Sequence, residues 1–137
     1  MNLFEKIYQP FDLSATRCYV AVFTIDTPDG YHSLEHKLPS YVQQLKGIFV
    51  SVDDTINPPS LPEGVVSLNF NGQTLRIFRQ TIYSDFFSEN NSRPFPFSEE
   101  LIPNSYMQGY YLDYMSEKTM PYHLRVYLHY VPLTTIS

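Results

Sequence analysis

From Tyr122 to Val131 the chain alternates strictly: Tyr122, Leu124, Val126, Leu128 and Tyr130 are separated by His123, Arg125, Tyr127 and His129. Successive side chains of an extended strand point to opposite faces, so this run is a ribbon with one dry side and one wet side. Such a ribbon is stable only when a second layer covers its dry side. The same period recurs where Ile48, Val50 and Val52 alternate with Phe49, Ser51 and Asp53. Residues 16–25, Thr-Arg-Cys-Tyr-Val-Ala-Val-Phe-Thr-Ile, are apolar on both alternating faces. That pattern predicts a strand covered on both sides, with Cys18 an inert buried thiol.

Turn chemistry divides these runs. Asn71-Gly72 supplies two residues tolerant of positive φ, as a two-residue type I′ hairpin requires. The expected register sets Phe70 against Gln73, Leu68 against Leu75 and Val66 against Ile77, with Val65, Ser67, Asn69, Thr74, Arg76 and Phe78 on the opposite face. Asp26-Thr27-Pro28-Asp29-Gly30 ends the first strand, and Pro58, Pro59 and Pro62 close the segment after Val52. Residues 31–46 carry a weaker pattern in which Ser40 to Leu45 predict a helical turn or two, stopped by Gly47. Residues 84–105 hold Pro94, Pro96 and Pro103 without a steady period and are expected to form a long loop. A further strand is expected over residues 106–115.

Five or six strands with little helix predict an all-β fold, an antiparallel β-sandwich of jelly-roll or Greek-key type with long proline-rich loops. The length of 137 residues suits one domain. Residues 1–13, with Phe4, Tyr8 and Phe11 around Pro10, read as an extended N-terminal arm, and residues 14–137 as the single sandwich domain. Strand order is not legible from local pattern.

Composition narrows the function classes. A net charge of −5 without a basic cluster argues against nucleic acid and anionic lipid as partners. A single cysteine excludes an internal disulfide and a cysteine-based zinc cluster. No apolar run reaches the roughly 20 residues of a membrane span, and none near the start resembles a signal peptide, so no membrane association is expected. Twelve Tyr and ten Phe favour half-buried pleated surfaces and binding faces.

His32-Ser33-Leu34-Glu35-His36 fits the H-x-x-E-H pattern that, on a helix, places two zinc ligands one turn apart. Between a turn and Pro39 the string reads instead as loop histidines, or as a strand with His32, Leu34 and His36 on one face. His123 and His129 are roughly 20 Å apart at strand rise and cannot share a metal. Asp53-Asp54 and Glu99-Glu100 are adjacent carboxylates whose side chains diverge, not a spaced catalytic pair. No nucleophile elbow and no glycine-rich phosphate loop occurs. No catalytic residue, metal site or cofactor is therefore expected, and the chain reads as a non-enzyme.

Three segments, Gly47 to Asp53, Ser67 to Gly72 and Tyr122 to Val131, resemble in style small β-sandwich proteins of bacteriophage particles. The resemblance implies a structural subunit in the virion (capsid, head-decoration or tail-associated) that works through protein partners or as a homo-oligomer. Outside a phage, the expected location is the cytoplasm. The expected contact residues are Phe4, Tyr8 and Phe11 of the arm, Phe95 and Phe97 of the Arg93-Pro94-Phe95-Pro96-Phe97 stretch, and the row His123, Arg125, Tyr127 and His129. The alternative is a carbohydrate- or peptide-binding sandwich module that uses loop ends and tyrosines.

Overall fold

The computed structural model describes residues 16–27, 30–52, 62–72, 77–83, 94–114 and 121–132. These contain eight strands: β1 (Arg17–Ile25), β2 (Tyr31–Lys37), β3 (Gln44–Val52), β4 (Pro62–Phe70), β5 (Phe78–Tyr83), β6 (Phe95–Glu100), β7 (Tyr106–Asp113) and β8 (Tyr122–Val131). They form two four-stranded antiparallel sheets, ordered β1-β8-β3-β6 and β2-β7-β4-β5. The pairing is nested, β1 with β8, β2 with β7, β3 with β6 and β4 with β5, like one long hairpin rolled up on itself. The β-sandwich expected from the alternating runs is the fold observed.

β8 is a central strand, and its period shows why. Leu124, Val126 and Leu128 are fully buried between the sheets, while the alternate residues stay half-buried on the outer side. Each such aliphatic side chain contributes about 1.5–3 kcal/mol by leaving water. Ile48, Val50 and Val52 of β3 meet Val66, Leu68 and Phe70 of β4 in the same cluster. A bulge between Leu45 and Gly47 resets β3 against both of its neighbours. In the second sheet β7 approaches β4 so closely that a Cβ at Gly109 would run into the Ser67 carbonyl oxygen. Only glycine fits there.

Four expectations are corrected. β1 is an edge strand, with Val20 39% and Val22 52% exposed and Cys18 on the surface, because its outer face has no covering layer among the described residues. Asn71 and Gly72 do take positive φ, 56° and 71°, but β5 starts only at Phe78. Leu68 therefore faces Phe78 rather than Leu75. A three-residue shift is odd and exchanges the faces, so Phe78 points into the core and Ile77 is 43% exposed. The Asn71 side chain explains the docking of this turn on β7: Oδ1 accepts from the Tyr106 N–H at 2.9 Å and Nδ2 donates to Ser105 Oγ at 3.0 Å.

The third correction concerns residues 95–100 of the expected loop, which form β6 and pair with β3, whereas residues 101–105 are a turn leading into β7. Proline is compatible with a sheet at its edge, and β6 is an edge strand. Finally, the helical stretch expected from Ser40 shrinks to one turn, closed by the Val42 N–H on the Pro39 carbonyl at 3.1 Å, and β3 begins at Gln44. Gly47 lies within that strand. The expected arm, residues 1–13, and the first part of the expected long loop, residues 84–93, lie outside the described residues.

Candidate functional site

The outer face of the first sheet gathers the row expected on β8. Antiparallel register sets Cys18, Val20 and Val22 of β1 beside His129, Tyr127 and Arg125. On the other side Gly47, Phe49 and Ser51 of β3 match His129, Tyr127 and Arg125. The Phe49 and Tyr127 rings lie 6.1 Å apart. The middle of this face is thus apolar and aromatic, flanked by histidines and one arginine. Burial lowers the pKa of His129 below its usual value, which favours the neutral ring at neutral pH. Sequence reasoning found the β8 row but missed its β1 half, since composition does not distinguish an edge strand from a covered one.

The outer face of the second sheet is tyrosine-rich. Tyr31 and Tyr110 stack with centroids 5.3 Å apart, and Tyr106, Leu112 and Tyr114 are exposed on the same face. By contrast Tyr111, Tyr122 and Tyr130 are core residues. The tyrosines of the second half therefore divide between interior and surface.

Inside the sandwich, polar side chains join the sheets at three places. The Tyr122 hydroxyl donates to Asp113 Oδ2 at 2.7 Å; burial and this bond raise the tyrosine pKa well above its ordinary range. The Tyr19 hydroxyl and His36 Nε2 share a 2.6 Å hydrogen bond. Gln80 of β5 donates to the Val50 carbonyl at 3.0 Å and accepts from the Val50 N–H at 3.1 Å. It thereby acts as a substitute strand where β6 has ended.

The H-x-x-E-H string is β2, so His32 and His36 face inward while Glu35 is exposed on the other side. Four residues of strand separate the two imidazoles by roughly 13 Å, too far for one metal. His32 lies over Tyr111 with centroids 6.2 Å apart, and its Nε2 has no hydrogen-bond partner among the described residues. Among the described residues no group of three His, Cys, Asp or Glu side chains could hold a metal ion. No helix there is long and apolar enough to cross a membrane.

Where the start of β1 and the end of β8 meet the turn before β3, Arg17, Tyr41, Tyr130 and Pro132 line an open pocket of about 400 Å³. Tyr41 packs against Tyr130 at 5.8 Å and edge-on to Tyr19 at 6.5 Å. Of the other expected contact residues, Phe97 packs on Phe70 and Phe78, and Phe95 lies against Phe78 while 48% exposed. Both belong to the flank opposite β1, not to the β8 row. Phe4, Tyr8 and Phe11 lie outside the described residues.

No family model matches the chain, and no curated protein matches it. Among solved structures it is similar to a chain of the acidic stable capsid structure of Helicobacter pylori bacteriophage KHP30. That match has 17% identity, covers 85% of this chain and 89% of the other, and gives a TM-score of 0.45.

Proposed function

We propose that the chain is a non-enzymatic structural subunit that works by burying its outer sheet faces against protein partners. The observation that carries this reading is the outer face of the first sheet. Val20, Val22, Phe49 and Tyr127 form one patch running from the edge strand β1 across β8 to β3, where a solitary domain would carry charges. The tyrosine-rich face of the second sheet supports it, because tyrosine gives rigid contact area at low entropic cost. The finer form of the proposal is a jelly-roll component of a bacteriophage particle, located in the virion. The nested strand order and the resemblance of the three quoted segments support that form. Fractionation of extract from the cells that produce the chain tests the proposal. The subunit is expected in a complex several times its 16.0 kDa mass, and the phage form is expected in purified particles. Recovery at the mass of one chain alone overturns the proposal.

The pocket favours one second reading, a carbohydrate- or peptide-binding module. Arg17 beside Tyr41 and Tyr130 offers a cation next to aromatic walls, and sandwich folds serve lectin domains as well as capsids. A glycan and peptide array at high concentration, with Tyr41→Ala as control, separates the two readings. No hit that Tyr41→Ala abolishes removes the module.

A further inference from the structure

Each sheet of a sandwich has two edges, and three of the four here carry devices that discourage further pairing. β6 has Pro96 with Glu99 and Glu100, β2 has Glu35 and Lys37 pointing outward, and β5 is only six residues long. β1 has only one charge, Arg17 at its first position. It runs nine residues, Arg-Cys-Tyr-Val-Ala-Val-Phe-Thr-Ile, without proline, glycine, lysine or a bulge, and among the described residues it pairs only with β8. Alternate N–H and C=O groups along its other side point away from the sheet.

We propose that β1 pairs antiparallel with β1 of a second copy about a two-fold axis at Ala21, joining the two outer faces into one eight-stranded sheet. The inference rests on the assembly reading above and names its partner. An isologous contact must be self-complementary, and this strand is. Centring on Ala21 is the register that pairs all nine residues. It sets Val20 against the second copy's Val22 and Cys18 against its Thr24 on the outer face, with Tyr19 against its Phe23 on the inner face. Charge favours this direction. In that register Arg17 faces the second copy's Ile25, one residue from its exposed Asp26, so opposite charges lie near each other at both ends of the pair. A parallel arrangement would put arginine beside arginine and aspartate beside aspartate. The apolar patch then continues across the axis, so that Val20 and Val22 lose their position at a rim.

The register is tested by Thr24→Cys in the full chain, which keeps the native Cys18. Within one strand positions 18 and 24 are roughly 20 Å apart, whereas a disulfide needs Cα atoms within about 7 Å. Any Cys18-to-position-24 bond is therefore intermolecular. Oxidation with copper–phenanthroline is expected to give a reducible dimer whose cross-linked peptide joins Cys18 to position 24, and Cys18→Ser in the same variant is expected to abolish it. Val22→Glu supplies the second measurement. The new carboxylate lies beside Arg125 within its own sheet, but near its two-fold mate in the pair. The cross-link is expected to fall at least tenfold and the sedimenting mass to halve. A large native complex without the cross-link, or one linked only through Cys18 to Cys18, overturns the pairing and leaves the assembly reading standing. A lone chain at every concentration overturns both.

Discussion

The two flanks of the sandwich meet the same requirement by different chemistry. Where β5 and β6 lie, the gap between the sheets is filled by hydrocarbon: Phe78 touches Phe95 and Phe97 with ring centroids 6.1 and 6.0 Å away, and Phe97 meets Phe70 at 5.9 Å. The backbone left unpaired by the short β6 is completed by the Gln80 amide on Val50. Where β1 and β2 lie, the gap is spanned by the Tyr19–His36 hydrogen bond, with Phe23 edge-on to His36 at 6.1 Å. One flank is closed in its packing, and the Val50 backbone beyond β6 is satisfied by Gln80. The other keeps an unprotected strand edge and polar aromatics. Stability is therefore expected to reside in the first flank and association in the second.

The largest effect that can break this contrast is at Phe78, which is 5% exposed. Phe78→Ala is expected to cost about 3–5 kcal/mol in urea unfolding, as truncation of a buried aromatic does. Phe23→Ala, on the half-exposed flank, is expected to cost about half as much. Equal costs would mean that the two flanks clamp the sandwich alike. Gln80→Ala comes next. It strands one N–H and one C=O of Val50, a loss of about 2 kcal/mol once water reaching this half-exposed site is allowed for. The accompanying marker is faster hydrogen exchange at the Val50 amide, with the amides of β1 unchanged.

How far the contrast is legible in the sequence depends on whether the deciding contact is local. The β8 row and its dry face follow from alternation alone, since His123 to His129 need no partner to fix their side. The Asn71-Gly72 turn is legible as a turn, but its register is not. Asn71 spends its side chain on Ser105 and Tyr106, more than thirty positions away, and β5 begins at Phe78, later than the tightest hairpin would have it. Residues 94–97 read as a loop because two prolines break the period. Those prolines are also the available signal for an edge strand, which proline tolerates. For β1 the signal is present and invites the opposite conclusion. A strand apolar on both faces is either buried on both or one that lacks its partner, and only the sheet order distinguishes these.

The smallest expected effect sharpens the comparison most, because it acts on one flank only. Tyr19→Phe removes the hydroxyl from His36 and should cost about 1 kcal/mol or less, this site being half-exposed. Burial, and secondarily Tyr41, raise the pKa of Tyr19 above its usual value, and burial does the same for Tyr130. A group whose pKa is higher folded than unfolded contributes stability in full below the unfolded value, near 10 for tyrosine. That stability is lost as pH rises through the folded value. The native chain should therefore lose stability above about pH 10, and Tyr19→Phe should show a shallower alkaline fall from its slightly lower plateau. Gln80→Ala has no titrating group to remove, so its curve should run parallel to the native one at every pH. If Tyr19→Phe also ran parallel, burial of the Tyr19 hydroxyl would not be what limits the flank beside β1 at alkaline pH.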